Sequence, residues 1–175
     1  MVESPTNGAE HEDRAETKAV PVAVVRIGSD GPLEDDEVAQ KIIASLEDAG
    51  HGIAVRELIA GDYDNVQGEI SRLVDRDDVE LVVTAGGTGL TPTDATLEAV
   101  EPLLDKELPA FLDLFHTLCY EELGVGVVSS RALAGIAGGV PIFCLPDDTR
   151  ATLLALEEII APEAYRLATL ANGDD

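Results

Sequence analysis

Short β-branched runs alternate with longer amphipathic stretches along most of this 175-residue chain. Runs of four to eight apolar residues between turn-forming residues are typical of buried strands. A half-buried strand is predicted where apolar and polar residues alternate, at residues 53–59. The predicted strands are residues 20–27, 53–59, 79–84, 125–128 and 140–145.

The stretches between these strands predict amphipathic helices. Val38, Ile42 and Leu46 form one apolar stripe in residues 34–49, and Gly50 ends that helix. Val66, Ile70, Leu73 and Val74 mark a second helix, and further helices are predicted at residues 96–104, 108–123 and 149–171. This order of elements predicts one α/β domain, a three-layer αβα sandwich around a mostly parallel central sheet.

Composition sets the limits of this domain. Residues 1–19 are rich in Glu, Asp, Pro, Gly and Thr, so they are predicted to form a disordered acidic tail before a domain at 20–171. Hydrophobic residues make up 45% of the chain but aromatic residues only 3%. The core is therefore expected to consist of Val, Leu, Ile and Ala.

The chain is strongly acidic, with 35 acidic and 11 basic residues and a formal charge of −24. Nucleic-acid binding is not expected, because it requires cations that neutralise phosphates. Such a surface, poor in lysine, is typical of proteins from extreme halophiles, in which concentrated salt screens the repulsion. An ordinary acidic bacterial protein is the alternative.

Metal-binding and membrane functions find little support. Cys119 and Cys144 stand alone and the three histidines lack metal-ligand spacing, so both thiols are interpreted as buried apolar side chains. No stretch is apolar enough to span a membrane, and the acidic N-terminus does not resemble a signal peptide. A cytoplasmic protein is expected.

The third predicted strand opens directly into Gly86, Gly87, Thr88 and Gly89. Glycines at the carboxyl end of a strand allow several backbone N–H groups to converge on a phosphate. The Walker lysine is absent and the spacing is not that of a dinucleotide-binding loop. A tight turn that merely requires glycine is the competing interpretation.

Other polar residues also have two interpretations. Ser130 and Arg131 follow a predicted strand end, where they could hold a phosphate or carboxylate, but Arg131 could equally pair with a surface acid. Thr96 is expected to cap a helix and Glu98 to lie in its first turn, so both have a structural explanation, and neither is predicted to be catalytic.

Residues 84–100 resemble the signature of the MoaB/Mog family of molybdenum cofactor biosynthesis, in which a Gly-Gly-Thr-Gly loop precedes an Asp and a Thr-x-Glu-Ala helix start. Further stretches resemble family blocks in family order, at residues 107–111, 120–124, 130–135 and 143–146. The resemblance covers essentially residues 20–171.

The resemblance implies a molybdopterin-binding fold and a ligand that carries phosphate. Catalytic members adenylylate molybdopterin with Mg-ATP. By resemblance, the loop Gly86 to Gly89 would cradle a phosphate, Asp94 would handle Mg²⁺ and substrate, and Ser130 and Arg131 would contact substrate. A loop Asp near a helix start is the structural alternative for Asp94. A homotrimer or homohexamer is also implied, and the helix around Phe111 to Tyr120 is either its interface or core.

Several positions depart from the family pattern. Thr93 replaces an arginine beside the loop, and Val38 follows acids where the family has Ser-Gly. A Pro-Asp pair is replaced by Ala60-Gly61, although the neighbouring Asp62 could substitute as a catalytic acid. A Phe-Arg-Met stretch becomes Phe115-His116-Thr117.

Asp147 and Asp148 stand where the family has Gly and a small polar residue. Both carboxylates are expected to cap the last helix and, unless a Mg²⁺ ion bridges them to it, to repel an anionic ligand. Three functions therefore stay open: a molybdopterin adenylyltransferase, a non-catalytic molybdopterin carrier, and an oligomeric scaffold or regulator on the same fold.

Overall fold

The computed structural model describes residues 18–28 and 30–174. Apart from Lys18 and Ala19, which are exposed and belong to no helix or strand, the predicted tail at 1–19 lies outside the described residues.

The domain consists of six strands and six α-helices within the described residues. The strands are β1 (Pro21–Ile27), β2 (Gly52–Ile59), β3 (Leu81–Ala85), β4 (Lys106–Glu107), β5 (Leu133–Ala137) and β6 (Val140–Leu145). The helices are α1 (Glu37–Asp48), α2 (Tyr63–Val74), α3 (Thr96–Val100), α4 (Pro109–Leu123), α5 (Thr149–Ala155) and α6 (Ala161–Asn172). Short 3₁₀ turns lie at Leu33–Asp35, Glu101–Leu103 and Gly124–Ser129, and one π-helical turn, Leu156–Ile160, joins α5 to α6.

The strands form one mixed sheet in the order β2-β1-β3-β6-β5-β4. The first four are parallel, and β5 runs antiparallel to both of its neighbours. The carboxyl ends of β1, β2, β3 and β6 therefore lie at one edge of the sheet. The predicted mostly parallel sheet is confirmed.

Helices cover both faces of the sheet. On β1, Val22 and Val24 pack into a core with residues of α1 and α4, whereas Ala23 and Val25 pack into a second core with α2. Because alternate side chains of a strand point to opposite faces, the two cores lie on opposite sides. The predicted three-layer arrangement is confirmed.

Most predicted helices are confirmed, with shifts at their ends. The first helix begins at Glu37, because the Asp36 carboxylate accepts a hydrogen bond from the Ala39 N–H at 2.8 Å and caps it. The third is shorter than predicted, since α3 ends at Val100. No helix among the described residues is long and apolar enough to cross a membrane.

The predicted strand at 125–128 is wrong. These residues form a 3₁₀ turn, and the side chains of Val125 and Val128 are 77% and 89% exposed. The run is β-branched, but it finds no neighbouring strand with which to pair. Ser130 and Arg131 consequently follow this turn and precede β5, so their predicted position after a strand end is also wrong.

The fifth strand is instead Leu133–Ala137, a stretch of small residues with weak strand preference. A side chain at Gly135 would meet the Lys106 carbonyl oxygen at 2.5 Å and the Leu104 side chain at 2.6 Å. Close approach of the β4 edge therefore requires glycine here, and local patterning did not reveal this requirement.

Candidate functional site

A cleft of about 920 Å³ opens at the carboxyl ends of the parallel strands. Ligands of open α/β sheets bind at this edge. The cleft brings together residues far apart in sequence, and the following site candidates line it: Asp62, Gly87, Thr88, Gly89, Asp94, Ser130 and Arg131. Four of the positions that depart from the family pattern line it as well: Gly61, Thr93, Asp147 and Asp148.

Gly86 anchors the glycine loop behind this cleft. Its N–H donates to the Leu145 carbonyl oxygen at 3.0 Å, so this group is already occupied. Its φ of +111° is in the region that favours glycine, and an added Cβ would collide with the Ile27 carbonyl oxygen. Gly86 thus attaches the loop to β6 and β1, and it does not line the cleft.

Gly87 and Thr88 line the cleft, and Thr88 is almost completely buried. Neither N–H has a hydrogen-bond acceptor within residues 18–28 and 30–174. Thr96 holds the loop from behind. Its hydroxyl donates to the Gly86 carbonyl oxygen at 2.9 Å, and its N–H donates to the Gly87 carbonyl oxygen at 3.0 Å. The predicted capping role of Thr96 is wrong, because α3 begins after Ala95 without a side-chain cap and the buried Thr96 hydroxyl holds the loop instead. Two adjacent free N–H groups are the arrangement that binds a phosphate oxygen.

Gly87→Ala should lower the free energy of unfolding by about 2–4 kcal/mol, because φ here is +68° and the new Cβ would fall on the Thr96 hydroxyl. Urea unfolding at constant molar KCl measures this change. Gly126→Ala is the matched control, since Gly126 also lines the cleft but has nothing within 4 Å of an added Cβ. It should change stability by less than about 0.5 kcal/mol. Equal losses in the two variants would contradict this account of the loop.

Asp94 is a half-buried carboxylate on the far side of the loop. It accepts hydrogen bonds from the Thr91 hydroxyl at 2.6 Å and from the Thr91 N–H at 3.0 Å. The Thr91 hydroxyl, the backbone N–H groups of Thr91 and Gly89, and the positive charge of Arg131 hold the pKa of Asp94 below its ordinary value. An added Cβ at Gly89 would lie 2.6 Å from this carboxylate, so glycine permits its close approach. The side chain therefore stays ionised at neutral pH.

Arg131 joins the glycine loop to α3. Its Nε donates to the Thr88 carbonyl oxygen at 2.9 Å, and its Nη1 lies 2.7 Å from the Glu98 carboxylate. This ion pair lowers the pKa of Glu98. The predicted pairing of Arg131 with an acid is confirmed, and the side chain, one-third exposed, also lines the cleft.

Ser130 and Asp62 also line the cleft. The Ser130 hydroxyl has no hydrogen-bond partner within the described part of the chain, while its carbonyl oxygen lies 3.2 Å from the His116 ring nitrogen Nε2. The Asp62 carboxylate accepts from the Asn65 N–H at 3.1 Å and caps α2. A cap explains Asp62 structurally, and its exposed carboxylate still borders the cleft.

Asp147 and Asp148 have different partners. Asp148 accepts from the Ala151 N–H at 2.9 Å, so its predicted capping of the last helix is confirmed. The corresponding prediction for Asp147 is wrong, because its Oδ1 instead lies 2.7 Å from Nη2 of Arg26.

Sequence reasoning missed Arg26. Its side chain is only 6% exposed, and it also binds the Asp36 carboxylate, with Nε 3.0 Å from Oδ1. A signal was present, since Arg26 is the one charged residue in a strand that otherwise contains Pro, Val, Ala and Ile. A buried charge of this kind requires a partner.

The two cysteines are buried, as predicted, and both are free thiols. Burial raises the pKa of Cys144 to about 12, and it also raises the pKa of Cys119. Neither thiol is therefore suited to nucleophilic chemistry near neutral pH. Within the described ranges there is no group of three or more His, Cys, Asp or Glu side chains placed to hold a metal ion by themselves.

Comparison with known proteins places this fold and cleft in one family. The model of a probable molybdopterin binding domain matches residues 23–166. The molybdenum cofactor biosynthesis protein B of Bacillus cereus is 36% identical over 155 residues, which cover 88% of this chain and 91% of that protein.

Solved structures agree with this match. The crystal structure of a molybdenum cofactor biosynthesis protein B is 33% identical with a TM-score of 0.86, covering 90% of this chain and 98% of that one. The tungsten cofactor synthesizing protein MoaB from Pyrococcus furiosus is 32% identical with a TM-score of 0.77, covering 89% and 98% of the two chains. The chain therefore belongs to the MoaB/Mog family of molybdopterin-binding domains of molybdenum cofactor biosynthesis proteins.

Proposed function

We propose that the chain binds molybdopterin in this cleft and transfers an adenylyl group to it from Mg-ATP. The observation that carries the proposal is the pair of unoccupied N–H groups on Gly87 and Thr88, at the carboxyl edge of the sheet and beside the ionised Asp94. The match to a molybdopterin binding domain supports the identity of the ligand.

The proposed reaction is the transfer of a nucleotidyl group by substitution at phosphorus. The terminal phosphate oxygen of molybdopterin forms a bond to the α-phosphorus of ATP, the bond from that phosphorus to the bridging oxygen breaks, and pyrophosphate leaves. Such reactions depend on positioning and on neutralising charge. Gly86 and Thr96 would fix the loop, Gly87, Thr88 and Gly89 would cradle a phosphate, and the guanidinium of Arg131 and the hydroxyl of Ser130 would orient the substrate.

The residues present fit a role for Mg²⁺, which prefers carboxylate oxygens and usually keeps several water ligands. Asp94 would supply one carboxylate, and Asp62, which also lines the cleft, is a second candidate. When bound, the ion would neutralise phosphate charge. The two hydrogen bonds that the Asp94 carboxylate accepts from Thr91 would keep it in position to bind the ion.

A non-catalytic carrier is the second candidate function, and one observation favours it. Two arginine side chains at or behind the cleft, Arg26 and Arg131, already pair with carboxylates, while Asp147 and Asp148 add negative charge to its rim. Such a cleft would hold a pterin, but it would stabilise the polyanionic transition state less than a cleft whose arginines are free of carboxylates.

The assay that tests the proposal is pyrophosphate release. Purified protein in concentrated KCl is mixed anaerobically with molybdopterin and Mg-ATP, and release that requires both substrates is the expected result. Binding of molybdopterin without release would establish the carrier. Absence of both would contradict a molybdopterin function and favour a scaffold or regulator on the same fold.

We also propose that the protein assembles as a homotrimer or homohexamer. Helix α4 carries both buried and exposed apolar side chains. Phe111 and Phe115 are buried core residues, whereas Leu114 and Tyr120 are each 56% exposed. These two side chains, with the exposed valines of the following 3₁₀ turn, supply the apolar surface that an interface between copies requires.

A further inference from the structure

Arg26 lies where three neighbouring strands end. Its Nη1 donates to the carbonyl oxygens of Ala85 at 3.0 Å and Ile27 at 3.4 Å, and an added Cβ at Gly86 would lie 2.8 Å from the same nitrogen. Nε binds Asp36, and Nη2 binds Asp147 after β6. The guanidinium is therefore directly behind the glycine loop and connects it to β1, β6 and the start of α1.

The two carboxylates that bind Arg26 have very different environments. The Asp36 side chain is 7% exposed, and it also caps α1, so it is a buried partner that balances the buried guanidinium. The Asp147 side chain is 57% exposed and has no other hydrogen-bond partner among the residues that the structure describes. Because two carboxylates face one guanidinium, the negative charge of Asp147 exceeds what this single positive charge can balance.

Asp147 also separates Arg26 from the cleft. Asp147 lines the cleft together with Gly87 and Thr88, whereas Arg26 does not. Another anion can replace a mostly exposed carboxylate on a buried cation at little cost in free energy. The displaced carboxylate regains its full hydration. A guanidinium binds phosphate oxygens as readily as carboxylate oxygens.

We propose that Nη2 of Arg26 is a second anion subsite of the cleft, and that Asp147 covers it until a phosphate or pyrophosphate group of a ligand takes its place. The subsite would add a cation to the backbone donors of Gly87 and Thr88. The inference rests on the proposed function only for the natural ligand, which would be a phosphorylated substrate or the pyrophosphate product.

The test uses inorganic pyrophosphate and calorimetric titration at one fixed KCl concentration. Asp147→Ala should bind pyrophosphate about tenfold more tightly than the unaltered protein, because Arg26 becomes accessible and one competing carboxylate is removed. Asp147→Asn should give a smaller gain, because the amide oxygen can still accept from Arg26 without an ion pair.

Asp148→Asn is the matched control. It removes one negative charge from the adjacent residue of the same cleft, keeps a good helix cap, and leaves Arg26 covered. Its affinity for pyrophosphate should change by less than about threefold. Equal gains in affinity for Asp147→Ala and Asp148→Asn would show that general charge repulsion is the cause and would overturn the subsite. No gain in either variant would also overturn it.

A direct readout identifies Arg26 itself. In Asp147→Ala labelled with ¹⁵N, the Nε–H resonance of Arg26, assigned from its absence in Arg26→Lys, should move on addition of pyrophosphate. In Asp148→Asn, which keeps Asp147 on Arg26, the same movement should require about tenfold more pyrophosphate. Because the probe is inorganic pyrophosphate, loss of molybdopterin binding would leave this result intact, and failure of the subsite would leave the proposed adenylylation untouched.

Discussion

Asp94→Asn should slow Mg-dependent pyrophosphate release by about a hundredfold or more, while molybdopterin binding changes by less than about threefold. The amide keeps the size of the side chain but loses the negative charge that a hard cation requires. Asp94 is held ionised by the hydroxyl of Thr91, so its charge is available throughout the neutral range. Initial rates at several Mg²⁺ concentrations, with a separate titration of molybdopterin, measure both effects.

Asp64→Asn is the matched control for this substitution. Asp64 is an exposed acid in the first turn of α2 and does not line the cleft. Its loss should leave the release rate within about twofold, because an exposed charge outside the site is screened by salt. Thermal unfolding of both variants separates loss of chemistry from loss of fold. A normal release rate in a folded Asp94→Asn would remove Asp94 from the mechanism.

Reducing KCl from about 3 M to about 0.1 M should lower the unfolding temperature by at least about 10 °C. The chain carries a formal charge of −24, and the Debye length grows from about 3 Å at 1 M salt to about 10 Å at 0.1 M. Repulsion among the surface acids then acts over longer distances and opposes the compact state. Circular dichroism melts across a KCl series measure the shift.

Two controls identify repulsion as the cause. Sucrose, which is excluded from protein surfaces but does not screen charge, should restore little of the lost stability at low salt. A variant that neutralises Asp64, Glu121 and Glu158 as amides should show a shallower dependence on KCl, because these exposed acids form no ion pair within residues 18–28 and 30–174. An unfolding temperature independent of KCl would contradict the predicted adaptation to high salt.

Much of the site could be predicted from local sequence. The glycines after β3 could be recognised as a loop at the carboxyl end of a strand, and the family signature favoured an anion-binding loop over a simple tight turn. The cap by Asp148 could also be predicted, because capping depends on residues only three positions apart. Asp94 was found through the family signature and then placed on the cleft by the fold.

Other features depend on contacts between distant residues. Arg26 and Asp147 are 121 positions apart, and nothing near either residue indicates their pairing. Arg131 reaches Thr88 across 43 positions and Glu98 across 33, so its position against the loop follows from the return of the chain into β5. Such contacts form only when the sheet assembles and brings these distant residues together.

The sequence by itself determined the buried strands β1, β3 and β6, the amphipathic helices, and the loop residues that require glycine, because strand and helix periodicity and positive φ are local properties. The tertiary structure decided that residues 133–137, and not the more β-branched residues 125–128, form the fifth strand. The physical reason is that a strand is stabilised by the neighbours that accept its hydrogen bonds and cover its side chains, and these belong to distant parts of the chain.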